Sequence, residues 1–274
     1  MIQDIQVLID DTPANKTRMD AALQLSTKWE KVHIIGVHPL QTPEVIFYGA
    51  PYDVMGYFPQ EIIDQKRTEA DTQAKDLKLN FENLVAKNKT TCEWRQLEGR
   101  ENDILSFHAR FTDLTIISQT TSDIVNEREF SDSLIMAHSL PILAVPEEDI
   151  PDDITGNILI AWNGSPESAR AVKNAMPLLK VAQKVILLTV GELDTNSISS
   201  KDMQAHLLRH KINCTLRTEE GSSPEDTILS VAANENIGLI IAGAWGHSRI
   251  REIVFGGVTK SLFTNQKIPV FLSH

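Results

Sequence analysis

The chain runs through one structural plan twice, and that duplication limits its architecture more than any other feature. An apolar run breaks into a helix start at Val7-Leu-Ile-Asp-Asp-Thr-Pro13 and again at Ile158-Leu-Ile-Ala-Trp-Asn-Gly-Ser-Pro166. Thr12-Pro13 and Ser165-Pro166 each read as an N-cap followed by proline at the first helical position. Strand-like runs follow at 32–37 and 184–190. Cys92-Glu-Trp-Arg95 then parallels Cys214-Thr-Leu-Arg217, and Glu98-Gly-Arg-Glu-Asn-Asp-Ile-Leu105 parallels Glu220-Gly-Ser-Ser-Pro-Glu-Asp-Thr-Ile-Leu229. Each copy closes with a strand at 114–118 or 239–242, a helical segment, and a last strand behind a proline, at 141–145 or 269–272.

Strands separated by helical segments of this length need crossover connections, which make parallel sheets with helices on both faces. The expected fold is therefore α/β: two tandem five-stranded parallel-sheet sandwiches, Rossmann-like in plan. A chain of 274 residues accommodates two such units, each with its own core. The acidic, proline-bearing stretch Pro146-Glu-Glu-Asp-Ile-Pro-Asp-Asp153 has few apolar anchors and marks the boundary, giving domains at 1–149 and 150–274.

Charge separates the two copies. Residues 1–150 hold 14 Lys and Arg against 25 Asp and Glu, whereas residues 151–274 hold 12 of each, so the whole net charge of −11 lies in the first copy. Such a surface repels nucleic acid and anionic lipid at long range. No apolar run approaches the roughly 18 residues that span a bilayer, and the start Met1-Ile-Gln-Asp-Ile-Gln-Val lacks a secretory pattern. A cytoplasmic location is expected, without nucleic acid and without membrane insertion. Cys92 and Cys214 stand alone, outside any disulfide or zinc spacing, and read as small core side chains.

The second copy carries the motif with chemistry in it. Gly243-Ala-Trp-Gly246 follows an apolar run, and after nine intervening residues Gly256-Gly-Val-Thr259 leads into a helical pattern. Glycines at both ends of a strand-to-helix loop let main-chain N–H groups converge on an anion at the positive end of the helix, and a phosphate is the natural guest. The spacing differs from a Walker loop, because no Gly-Lys-Ser/Thr follows, and from the dinucleotide fingerprint, because it falls late in its copy. Gly243-Ala-Trp-Gly-His-Ser-Arg249 with Gly256-Gly-Val-Thr259 resembles the nucleotide loop of the universal stress protein family, over most of 156–274.

That resemblance implies a tandem universal stress protein, a stress-response regulator or sensor that binds ATP or a related adenine nucleotide in its second domain, with Mg²⁺ on the phosphates. It also implies a pseudo-dimer of domains within each chain and a homodimer as a further partner. By the same resemblance Asn163 faces the adenosine part, Val190 packs on the adenine, and Gly243, Ala244, Gly246, Gly256, Gly257, Val258 and Thr259 line the ribose and phosphates. The family's usual aspartate is Asn163 here, and its hydroxyl residue after the third glycine is Gly257, with Thr259 as a substitute donor. Arg249 is the expected charged contact among His247, Ser248, Arg249, Arg251 and Lys260.

The first copy has no glycine between Gly99 and Gly156, and its loop 119–131 carries Asp123, Glu127 and Glu129, which oppose a phosphate. One nucleotide site per chain is expected. The insertion 42–59 holds every tyrosine of the chain, to be read as an interface or as a self-packed cluster. Residues 61–86 show helical spacing of Ile62, Ile63, Ala70, Ala74, Leu77, Phe81, Leu84 and Val85, a core-packing helix. His206 and His210 stand at i and i+4, able to share a helix face for zinc, but without a third ligand they read as a surface pair. No nucleophile or acid/base set assembles from spacing. Three readings stay open: a nucleotide-binding regulator, a slow ATPase with His247 as the residue to test, and a nucleotide-free interaction protein in which Asn163 and Gly257 record an altered site.

Overall fold

The structure is a computed structural model that describes residues 1–40, 60–119, 141–191, 198–244, 257–264 and 267–273. Its N-terminal half runs β1 (Asp4–Leu8), α1 (Asn15–Ser26), β2 (His33–Leu40), α2 (Gln60–Lys87), β3 (Thr91–Glu98), α3 (Glu101–Ala109), β4 (Leu114–Ser118) and β5 (Ile142–Val145). The C-terminal half runs β6 (Asn157–Ala161), α4 (Pro166–Asn174), α5 (Met176–Val181), β7 (Lys184–Val190), α6 (Ser200–Arg209), β8 (Thr215–Glu219), α7 (Pro224–Asn234), β9 (Leu239–Gly243), α8 (Gly257–Phe263) and β10 (Val270–Ser273). The insertion 42–59 and the loop after Gln119 lie outside the described residues.

The ten strands form one sheet in the order β3-β2-β1-β4-β5-β10-β9-β6-β7-β8. Each half is a parallel sheet whose order reverses beside its first strand: β1 lies between β2 and β4, and β6 between β7 and β9. The halves meet where β5 pairs antiparallel with β10, Leu143 opposite Phe271. The two five-stranded parallel units expected from the sequence are both present, and they join edge to edge into one sheet. Four-residue apolar strands such as Ile142–Val145 bury both faces and carry no mark of what pairs along their edge.

Alternation along the strands sorts the core into two layers that both cross the seam. Ile5, Val7, Leu143, Ile158, Ile160, Trp162 and Phe271 share one layer with Met19 and Leu25 of α1, Phe81 of α2, Val172 of α4 and Leu207 of α6. Leu8, Ile35, Ala144, Leu159 and Leu272 share the other with Leu105 of α3, Val231 of α7 and Leu262 of α8. Gly36 sits inside β2 because the ring of Phe81 lies where its Cβ would be, 2.9 Å away. The long α2 buries Ala74, Phe81 and Val85, while Ile62 and Leu84 of the expected apolar stripe are exposed. Cys92 and Cys214 are free, half-buried and packed at the border of the first layer, and burial raises both thiol pKa values.

The two predicted N-caps differ. Ser165 caps α4 as the sequence indicates, its hydroxyl accepting from the Ser168 amide at 3.2 Å with Pro166 in the first turn. Thr12 caps nothing, because its hydroxyl and amide both turn back to Asp10 Oδ1, at 2.5 and 2.9 Å; α1 begins at Asn15 without a side-chain cap. The segment between the halves is tied to α1, where Thr17 Oγ1 donates to Pro146 O and Gln24 Nε2 to Pro151 O, both at 2.8 Å. Lys28 pairs with Asp153 at 3.0 Å.

Candidate functional site

In an open parallel sheet the crevice for a ligand opens at the carboxyl ends of the strands where the order reverses. In the C-terminal half this is the gap between the ends of β6 and β9, with the end of β7 beside it. Registers fix the place: Ala161 is level with Ala242 of β9 and Leu188 of β7, and the Trp162 amide still bonds to Leu188 O at 2.8 Å. Asn163 is the next residue, exposed, and Val190 ends β7.

Asn163 does structural work here. Its Oδ1 accepts from the Ser165 amide at 3.1 Å, Gly164 takes φ of 73°, and Ser165 then starts α4. Trp162 is buried and donates from Nε1 to Ile198 O at 3.1 Å, which ties the approach to α6 to this turn. Thr189 Oγ1 lies 2.8 Å from Ser200 Oγ, a second link from the end of β7 to the start of α6.

Gly243 ends β9 against the first turn of α4. A Cβ on it would fall 2.5 Å from the Ser168 amide nitrogen and 2.9 Å from Glu167 Cβ, so only glycine lets strand and helix approach this closely. The structure gives that glycine a packing task as well as the place expected of it at the end of β9. Ala244 is fully buried, with its amide on Ser273 O at 3.0 Å. Gly257 opens α8, Val258 packs against the second core layer, and Thr259 Oγ1 lies 3.4 Å from Gly243 O. The structure thus brings Gly243, Ala244 and Thr259 together, with Asn163 and Val190 at the ends of the neighbouring strands. Gly246, His247, Arg249 and Gly256 lie outside the described residues.

The N-terminal half has the same crevice, between the ends of β1 and β4, and fills it. Matching Thr12-Pro13 to Ser165-Pro166 places Asp10 with Asn163 and Arg18 with Ala171; matching β4 to β9 places Ser118 with Gly243. Arg18 is 2% exposed. Its Nε donates to Leu8 O at 2.8 Å, Nη1 to Ser118 Oγ at 2.5 Å and Nη2 to Asp10 Oδ1 at 2.6 Å, joining α1 to the ends of both strands. Glu101, first residue of α3, stands near this pair; burial and then the Asp10 charge push its carboxyl up to about 7, against the pull of Arg18. Both residues escaped the sequence reading. A signal for Arg18 exists, since it occupies the helical stripe of Ala14, Ala21, Ala22 and Leu25, where an apolar residue belongs.

Two parallel half-sheets, each with a reversal beside its first strand, place this chain among the α/β proteins of the Rossmann-like kind. Residues 155–274 match the model of the universal stress protein family. Along its full length the fold is that of a universal stress protein from Archaeoglobus fulgidus DSM 4304, at TM-score 0.77 and 14% identity, with 98% of this chain and 97% of that one covered. A functionally unknown protein from Pseudomonas aeruginosa PAO1 shares it at TM-score 0.59 and 13% identity, covering 99% of this chain and 92% of that one. No curated protein matches the chain significantly in sequence. No helix among the described residues is long and apolar enough to cross a membrane.

Proposed function

We propose that this protein is a stress-response regulator that binds ATP or a related adenine nucleotide, accompanied by Mg²⁺ on the phosphates, in the crevice of its C-terminal half. The observation that carries the reading is the reversal between β6 and β9, with Gly243 ending β9 at that crevice and Gly257 opening α8. The family match over 155–274 supports the same half. Asn163, Val190, Gly243, Ala244, Gly246, Arg249, Gly256, Gly257, Val258 and Thr259 are the proposed contacts. With Gly243 packed on α4, its share is the position of its backbone, and phosphate contacts fall to main-chain donors farther along the loop and to Arg249. Regulation requires that nucleotide favour one conformational or association state over another. Ordering of residues 247–256 is the proposed response, read as slower amide exchange there at saturating ATP.

One observation favours a second reading, a nucleotide-free interaction protein. The Asn163 amide oxygen and the Thr259 hydroxyl both engage the protein's own backbone, with Ser165 and Gly243. Calorimetric titration of the purified chain with ATP, ADP and AMP separates the two. Saturable binding of one nucleotide per chain supports the first; no heat and no change in tryptophan emission supports the second.

We further propose 1–149 and 150–274 as the two domains, a division that falls between β5 and β6, and a cytoplasmic location. The β5–β10 pairing supports a pseudo-dimer inside one chain, so a homodimer of chains would have to use another surface.

A further inference from the structure

We propose that His206 and His210 form a two-imidazole chelate for a first-row divalent transition-metal ion, with Cu²⁺ bound most tightly. The inference rests on α6 and its C-cap alone and is independent of nucleotide binding. Helical geometry places residues four apart on one face, one turn above the other. Here the two rings meet, their centroids 4.7 Å apart and their planes at 62°. Two imidazoles on one ion, each with a metal–nitrogen bond of about 2.0–2.1 Å, hold their centroids about 4.5–5 Å apart when the angle at the metal lies between square-planar and tetrahedral. The separation of the rings therefore already equals that of two imidazoles on one ion, and binding would turn a nitrogen of each toward it.

The surroundings favour such an ion. Buried Met203 and Leu207 seat α6 on the core, and Gln204 Nε2 donates to Cys214 O at 2.9 Å, so the backbone carrying both rings is fixed. The last turn is closed by the His210 amide, which bonds to Leu207 O at 2.9 Å and His206 O at 3.3 Å. His210 is exposed, which leaves an open approach, and the C-terminal end of a helix dipole attracts a cation, against the repulsion of Arg209 near His206. Asp202, a turn earlier, is occupied as the acceptor of the Ser199 hydroxyl at 2.6 Å. Among the described residues no group of three His, Cys, Asp or Glu could hold an ion, so water completes the coordination. Imidazole nitrogen selects Cu²⁺, Ni²⁺ and Zn²⁺ over Mg²⁺ and Ca²⁺, and the usual order of affinities puts Cu²⁺ first.

The test is calorimetric titration of the full chain, free of nucleotide, with CuCl₂, NiCl₂ and ZnCl₂ in a non-chelating buffer. One ion per chain is expected, and His206→Asn or His210→Asn each weakens binding at least about tenfold, since even loss of an outer-shell partner costs that much. His210→Asn combined with Lys211→His, which moves the second ring off the shared face, leaves binding weak. Unchanged affinity in both single variants, or full affinity in the shifted one, overturns the proposal. Should a variant fold poorly, substoichiometric Cu²⁺ added to the parent gives an independent reading by proton NMR. Broadening of the His206 and His210 ring protons first is the expected result, and broadening of other histidines first overturns the proposal.

Discussion

The two crevices of this molecule occupy equivalent places in equivalent half-sheets and are built to opposite ends. Between β1 and β4 a buried guanidinium bridges both strand ends and is matched by Asp10; between β6 and β9 the matching positions are Ala171 and Gly243. A large charged side chain and a serine hold the N-terminal crevice shut, whereas an alanine and a glycine let α4 settle directly onto β9. Both halves keep the same turn after their first strand, Asp10 Oδ1 accepting from Thr12 and Asn163 Oδ1 from Ser165. What distinguishes the two crevices is thus a pair of substitutions beyond the turn. Absent glycines and surface acids were the sequence argument against a first site; the buried arginine is a stronger one, because a ligand would have to displace it.

The sharpest way to break this comparison is Arg18→Ala. Removing a buried guanidinium that makes three hydrogen bonds and pairs with the half-buried Asp10 is expected to destabilise the chain by about 3 kcal/mol, measured by urea unfolding. A loss below about 1 kcal/mol would mean that Arg18 does not hold the crevice closed. Glu101→Gln comes next. In the unfolded chain this carboxyl titrates near 4.5 and in the folded protein near 7, so between those values the folded state keeps a proton that the unfolded state has released. Its contribution is intact below about pH 4.5 and is lost as the pH rises to about 7. The variant should therefore match the parent at low pH and exceed it by up to about 3 kcal/mol above neutrality, a difference that thermal melts across pH would show. A constant offset at every pH would reject the burial of that charge.

Gly243→Ala probes the other crevice. The added methyl meets the α4 backbone and should cost about 1–3 kcal/mol in denaturant unfolding, as overpacking does. Ser118→Ala, followed in the same way, removes a hydrogen bond from the buried guanidinium without adding bulk and should cost about 1.5–3 kcal/mol. A Gly243→Ala variant as stable as the parent would erase the contrast in packing. The smallest effect concerns the caps. Ser165→Ala should cost about 1 kcal/mol, and Thr12→Ala less, because Thr12 braces Asp10 at an exposed turn instead of capping α1. Paired melts of the two variants would reverse that ranking if α1 were capped by Thr12 after all.

Much of this was legible because it is local. The strands at 114–118 and 184–190 fall as read, and Ser165-Pro166 starts its helix with the expected cap, since apolar runs and cap chemistry act within a few residues. What escaped depends on partners far away in sequence. Arg18 is buried because Ser118, a hundred positions on, turns a hydroxyl to it. The conformational freedom of Gly243 is visible in the sequence, while the approach of Ser168 is not. The first half of α2 reads as a stripe of core residues, yet Ile62 stays exposed.

The antiparallel seam between β5 and β10 has a consequence for how such a molecule can specialise. Two identical subunits joined at such a seam would share every amino-acid change, so shutting one pocket would shut both. Here the partners are written into a single polypeptide, which also keeps each within reach of the other whatever the protein concentration. Each can then be altered alone, as the buried Arg18 of one half and the close-packed Gly243 of the other show.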